Sequence, residues 1–340
     1  MLSGVDDLLG QGPVLRPIFE AARSDRLHHC YLFEGPPSVG KHTAAVRLAM
    51  AAACTERSAV LPCGQCPTCI QMSKGLHPDL IEVGPDPKKK TPLISRAQSR
   101  EVVRQVGLRS YNARWRTFVI DPADLLRPEA ANALLKTLEE PPSGTGFVLV
   151  TARASSLLPT ILSRAQRVRF RPVPHADLVT WLEGRGVDQA ERVARLAQGS
   201  PGRALALAKD GLASVDELRA QVLDVLAGGV VGIVPYAEKL VRGDRARWHK
   251  RVQALLDVLE GLVRDAALVG AGQTGGLLNA DRESLVQAWA DALWPRGVQA
   301  LQQAIADARD QLHLNVNGRL LIETLLSRFA AALGRARRVA

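Results

Sequence analysis

Short apolar runs alternate with helix-period segments through the first half of the chain. Cys30–Glu34 (CYLFE) reads as a strand, followed by a glycine-rich turn and an alanine-rich helix to about Cys54. Leu80–Val83, Thr117–Asp121 (TFVID), Phe147–Thr151 (FVLVT) and Arg167–Phe170 read as further strands, and Arg96–Val106 has helical periodicity. The segment 128–140 carries strong helix signals. Pro128 suits a first helical position, Glu129 lies in the first turn, and Ala131, Leu134, Leu135 and Leu138 follow the i, i+3, i+4, i+7 spacing until Pro141 and Pro142 end it. Strands alternating with helices predict a parallel sheet covered on both faces, an α/β fold.

The pattern changes at 171–178 (RPVPHADL). Beyond it no strand is expected. Short helical stretches fill 174–210, with breaks at Gly184–Gly186 and Gly199–Gly202. Longer helical patterns then cover 214–227, 246–268, 281–305 and 309–333, with a glycine-rich loop at 270–276. The expected organisation is an α/β domain over 1–171, a small helical lid over 172–210 and an all-α domain over 211–340. That division suits 340 residues at roughly 100–200 per domain.

Composition adds a partner class. The net charge is +10 and the pI about 9.8, which favours a polyanionic partner or else marks an arginine-rich solvated surface. Aromatics are only 4%, leaving few rings for base stacking. No basic segment leads into an apolar core at the start, and no run of ~18 apolar residues occurs, so a soluble cytoplasmic protein without a membrane partner is expected.

Residues 35–43 (GPPSVGKHT) place Gly35, Gly40 and Lys41 in a G-x-x-x-x-G-K phosphate loop between a strand and a helix, the context that motif requires. Backbone N–H groups in such a turn point at phosphate oxygens. The next position should be Ser or Thr, whose hydroxyl holds Mg²⁺. Here it is His42, and Thr43 lies ~100° further round the helix. Asp121 ends its strand where a metal-associated carboxylate belongs. Pro122 stands where a water-orienting Glu would follow, and Asp124 reads as a surface acid leading the next helix. Two hydrolytic parts are missing from one chain, which predicts weak or absent ATP or ADP binding and no turnover.

Cys54, Cys63, Cys66 and Cys69 have the spacing C-x8-C-x2-C-x2-C. Four thiolates give Zn²⁺ a closed tetrahedral, structural site; an Fe–S cluster or free thiols are the alternatives. Cys30 lies in a strand and reads as a small buried hydrophobe.

These pieces together resemble the clamp-loader family of AAA+ proteins, closely over about residues 10–210 and by size and helical character beyond. LHHCYLFEGPPSVGKHT (27–43) is similar to that family's first strand and phosphate loop, and the cysteine insertion resembles its zinc module. PEAANALLKTLEEPP (128–142) resembles the helix after the metal-binding strand nearly letter for letter. LLPTILSRAQ (157–166) resembles the SRC motif that holds an arginine finger, with Ala165 in place of Cys and Arg164 retained. In GSPGRAL (199–205), Gly202 takes the position of a sensor arginine, with Arg203 one place later.

The resemblance implies an AAA+ P-loop domain, a helical lid and a helical C-terminal collar. It implies a subunit of a five-membered assembly with gamma/tau and delta subunits, which acts on a sliding clamp and primed DNA within the polymerase holoenzyme. Such a chain would hydrolyse no ATP itself and would supply Arg164 in trans to a neighbour's ATP. An ordinary surface arginine is the plainer reading of Arg164. Arg96, Arg100 and Arg104 share one helix face that the resemblance puts near duplex DNA; they read as phosphate contacts or as a solvated face paired with Glu101. Lys88–Lys90 and the terminal RARR read as solvated charge runs. Two rival readings are an ATP-hydrolysing motor subunit of the same assembly and a zinc-dependent DNA-binding protein.

Overall fold

The fold is that of a computed structural model, which describes residues 8–56, 61–86, 93–111, 114–312 and 316–336. Lys88–Lys90, Arg337 and Arg338 lie outside these residues. The chain divides into two compact units, 1–208 and 209–340.

The first unit alternates strands and helices: α1 (Gly12–Arg23), β1 (Cys30–Glu34), α2 (Lys41–Ala53), α3 (Pro67–Ser73), β2 (Leu80–Val83), α4 (Arg96–Val106), β3 (Arg116–Ile120), α5 (Pro128–Glu139), β4 (Thr145–Thr151), α6 (Pro159–Leu162) and β5 (Gln166–Arg169). All five strands are parallel, in the order β2-β3-β4-β1-β5. The alternation of side chains along each strand sorts the core into two layers. Tyr31, Phe33, Val119, Val148 and Val150 face α1, α2 and α3, whereas Cys30, Leu32, Phe118, Ile120, Phe147 and Leu149 face α4, α5 and α6. Burial on both faces explains why these strands read as continuous apolar runs. The order also sets the site. The carboxyl ends of β3, β4 and β1 lie side by side, with Glu34 opposite Thr151 and Ile120 opposite Leu149. Three short helices complete the unit: α7 (His175–Glu183), α8 (Ala190–Ala197) and α9 (Pro201–Asp210).

The second unit is helical throughout its described residues: α10 (Leu212–Ala227), α11 (Val230–Leu240), α12 (Arg245–Gly270), α13 (Glu283–Leu293), α14 (Arg296–Leu312) and α15 (Gly318–Ala336). They enclose one core, centred on Leu255, Leu256, Leu259, Val263, Leu326 and Phe329.

Two expectations are corrected. The helix expected over 281–305 is two helices, broken at Trp294–Pro295. Proline carries no N–H and pushes the preceding residue out of the helical region, and Trp294 has φ −72 and ψ 139. The helix expected over 309–333 begins at Gly318, because α14 runs on to Leu312. Helix α11 was not expected. Its sequence VVGIVPYAEKL opens with β-branched residues after two glycines and holds Pro235 inside, all poor helix signals.

Candidate functional site

The phosphate loop joins β1 to α2 at the carboxyl edge of the sheet, where open α/β folds bind ligands. Its turn depends on glycine at Gly35 (φ 146), where a Cβ would fall 2.4 Å from the Phe170 carbonyl oxygen, and at Gly40 (φ 99), the residue capping α2. Lys41 is buried, and its Nζ donates to the carbonyl of Gly35 at 2.7 Å and to that of Pro36. Burial brings its pKa down to about 8, against the pull of Asp121 and Asp124. The loop lysine thus satisfies its own loop's carbonyls.

His42 Nδ1 lies 2.9 Å from Asp121 Oδ2, and Nε2 lies 3.8 Å from Glu82 Oε2. The hydrogen bond to Asp121 raises the His42 pKa, against burial and with help from the two carboxylate charges. An imidazole therefore occupies the Asp121 carboxylate. Thr43, one position on, is exposed. Pro122 directs the chain into a single tight turn, 123–125.

Asp124 departs from expectation. Its side chain is only 6% exposed; it accepts from Thr151 Oγ1 at 2.7 Å and lies 3.6 Å from Arg153 Nη2. It locks the end of β4 to the turn after β3, so it is no surface acid. Thr151 and Glu82 gave no motif signal; only their places at the carboxyl ends of β4 and β2 mark them.

Helix α9 closes over the loop. Ser200 Oγ donates to the Pro37 carbonyl at 2.9 Å, and Gly202 N donates to the Ser38 carbonyl at 3.0 Å. A Cβ at Gly202 would lie 3.1 Å from the Ser38 Cβ. The residue without a side chain is what lets these backbones meet. Arg203, next to it, is half-buried.

Arg164 lies in the turn between α6 and β5. Its Nη1 donates to the Thr160 carbonyl at 2.9 Å and its Nη2 to Glu139 Oε2 at 3.1 Å; the side chain is 29% exposed. Arg96, Arg100 and Arg104 are all exposed on α4. Arg104 is held by Glu101, Nε to Oε2 at 2.8 Å and Nη2 to Oε1 at 2.6 Å, whereas no ion pair is found for Arg96 or Arg100 among the described residues.

The four cysteines converge between α2 and α3 with their sulfur atoms within 4.8 Å of one another. Cys54–Cys66 and Cys63–Cys69 sulfur separations are 4.0 and 3.9 Å. A tetrahedral zinc with Zn–S near 2.3 Å needs S···S edges of about 3.8 Å, so the spacing fits a metal. Backbone amides already point at sulfur: Cys66 N lies 3.3 Å from Cys63 Sγ, and Cys69 N lies 3.4 Å from Cys66 Sγ, which caps α3. Burial pushes the Cys66 thiol up, but hydrogen bonds from Thr55 and the Cys69 amide bring it down to about 6. Four clustered cysteines of this kind can bind a metal. Cys30 is buried in β1, away from the cluster, and burial raises it to about 12. No helix among the described residues is long and apolar enough to cross a membrane.

A family model described as DNA polymerase III, delta subunit, matches residues 10–174, and one described as DNA polymerase III, delta subunit, C terminal, matches residues 246–331. DNA polymerase III subunit delta' of Escherichia coli is 32% identical over 329 residues, covering 93% of this chain and 94% of that protein. DNA polymerase III subunit delta' of Bacillus subtilis is 30% identical, covering 93% and 95%. The tau subunit of Escherichia coli is 31% identical but aligns with only 65% of this chain and 35% of its own length.

Proposed function

We propose, from the premise that this chain belongs to the delta' family of DNA polymerase III subunits, that it serves in the clamp loader as a subunit that hydrolyses no ATP and lends Arg164 to a neighbour's. In this reading it assembles in the cytoplasm with gamma/tau and delta subunits, and the assembly places the sliding clamp on primed DNA. The observation that carries the reading is a contrast within one unit. His42 sits on Asp121, Pro122 replaces the water-orienting acid, and α9 is bonded to the phosphate loop, yet the finger motif keeps its arginine at the surface. Residues 1–171, 172–210 and 211–340 would act as P-loop domain, lid and collar.

Arginine suits a role in trans because guanidinium is permanently charged and its planar fork matches phosphate. The negative charge that develops in phosphoryl transfer is stabilised by such a residue, in related NTPases by ~10³–10⁵-fold in rate. The cysteine cluster would hold one structural Zn²⁺, since four thiolates leave no open coordination position. A motor-subunit reading is disfavoured: His42 and Pro122 replace two hydrolytic positions, and the tau relative aligns with 65% of this chain and only 35% of its own length, whereas the delta' relatives align nearly end to end.

The test is reconstitution. The isolated chain should show no ATP turnover above background and should co-purify with gamma/tau and delta subunits. Arg164→Ala should fold and assemble, but clamp loading and DNA-stimulated ATPase should fall sharply, and Arg164→Lys should restore little. Clamp loading by Arg164→Ala assemblies at the wild-type rate would leave the chain a scaffold only. Turnover that vanishes with Lys41→Ala would make it a motor.

A further inference from the structure

Arg164 is held by an acid that the motif does not contain. Glu139 is the last residue of α5, and its carboxylate meets Nη2 at 3.1 Å while the Thr160 carbonyl meets Nη1 at 2.9 Å. Ser163 Oγ lies 3.4 Å from Nη1. A guanidinium has five N–H donors. Glu139 and Thr160 take one on each Nη, and the Nε–H is buried without a partner among the described residues. The second Nη1 N–H is directed at Ser163 Oγ, which leaves one N–H, on Nη2, for a ligand.

The position of Glu139 is locally unfavourable. A carboxylate in the last turn of a helix faces the negative end of the helix dipole. The pair is also partly exposed, 29% at Arg164 and 54% at Glu139, and such pairs add little to folding. A residue that breaks a local rule without contributing much to the fold points to a task at the site. Here the task is orientation. Arginine has many rotamers, and a finger free to sample them must be ordered anew each time a phosphate arrives.

We infer that Glu139 is a positioning residue for Arg164, holding the guanidinium just after α6 with its remaining Nη2 donor set for a phosphate of a neighbouring subunit's nucleotide. The inference rests on the finger reading above. It connects two segments 25 residues apart, the end of α5 and the turn after α6 that holds Arg164.

The experiment is a double-mutant cycle in the assembled loader, read as kcat and KM for ATP in the DNA-stimulated reaction. Glu139→Ala should lower kcat roughly 10-fold at the site that the finger serves. KM for ATP should stay within roughly twofold, because ordering the finger acts on the transition state. Glu139→Gln, which keeps an acceptor at the same place, should recover most of the loss. Assembly and thermal midpoint should be unchanged in both. Glu139→Ala combined with Arg164→Ala should be no slower than Arg164→Ala alone.

Three results overturn the inference while leaving the finger intact: a slow Arg164→Ala with a wild-type Glu139→Ala, a Glu139→Ala faster than wild type, or a double variant slower than Arg164→Ala by the full Glu139→Ala factor. A wild-type rate for Arg164→Ala removes the finger reading itself, and the role of Glu139 with it.

Discussion

Gly202 decides how closely the helical segment approaches the phosphate loop. With no Cβ there, the Gly202 amide reaches the Ser38 carbonyl at 3.0 Å; any larger residue would press on Ser38 at about that distance. The sequence marked Gly202 only as a missing sensor arginine, and what the glycine provides in exchange is visible only in the contact. The same holds for Asp124, whose burial against Thr151 depends on β4 lying beside β3. The phosphate loop and the cysteines were legible because their chemistry depends on close spacing in the chain. For the cysteines the consequence is direct. The purified protein should carry about one zinc per chain, and Cys66→Ser should release it and make 54–73 susceptible to protease, since Cys66 both joins the cluster and caps α3. The sheet should survive, because its strands pack elsewhere on α2, α4 and α5. Elemental analysis checks this; protein free of zinc without exposure to chelators, or protein carrying iron, contradicts the assignment.

Helix α4 and the loop after it are fixed by one buried pair. Arg116, at the start of β3, meets Asp79 at 3.0 Å, and its Nη1 donates to the carbonyls of Gln105 and Leu108 at 2.9 and 2.8 Å. Asp79 is fully buried and also accepts from the Tyr111 amide at 2.9 Å. Arg116 thus ties the end of α4, at Gln105, to the turn that follows it, at Leu108. Removing one partner of such a pair leaves a buried charge, so Arg116→Ala should cost about 3–5 kcal/mol in denaturant unfolding. Amide exchange should rise first over 105–111. A loss within ~0.5 kcal/mol would place the pair among ordinary surface contacts. Neither residue stood out in the sequence, where Asp79 follows a proline and Arg116 opens an apolar run. The elements themselves were easier to find. Strands buried on both faces are apolar runs, and α5 carries its start and stop signals in its own letters. Harder were α11, whose β-branched, proline-containing sequence is helical because Ile233 and Ala237 pack into the second core, and the break at Pro295, masked by apolar residues that continue in helical period on both sides.

Over the molecule as a whole, the charge of +10 gains a location only through the fold. Arg96, Arg100 and Arg104 lie at i, i+4 and i+8 on α4, and the sequence left them either as phosphate contacts or as a solvated face. The structure separates them. Both Nε and Nη2 of Arg104 are engaged by Glu101, while Arg96 and Arg100 show no such partner among the described residues. Phosphate contacts carry no base information, so a DNA role for these arginines should appear in the salt dependence of DNA binding rather than in sequence preference. In the assembled loader, Arg96→Ala and Arg100→Ala should each weaken binding to primed DNA and lower the slope of log K against log salt by about one. Arg104→Ala should change that slope much less, because its charge is already answered by Glu101. Titrations of wild-type and variant assemblies across the same salt range decide the matter. Equal slopes for all four proteins would return α4 to the solvated reading, and an Arg104→Ala effect as large as the others would mean that the Glu101 pair opens when DNA binds.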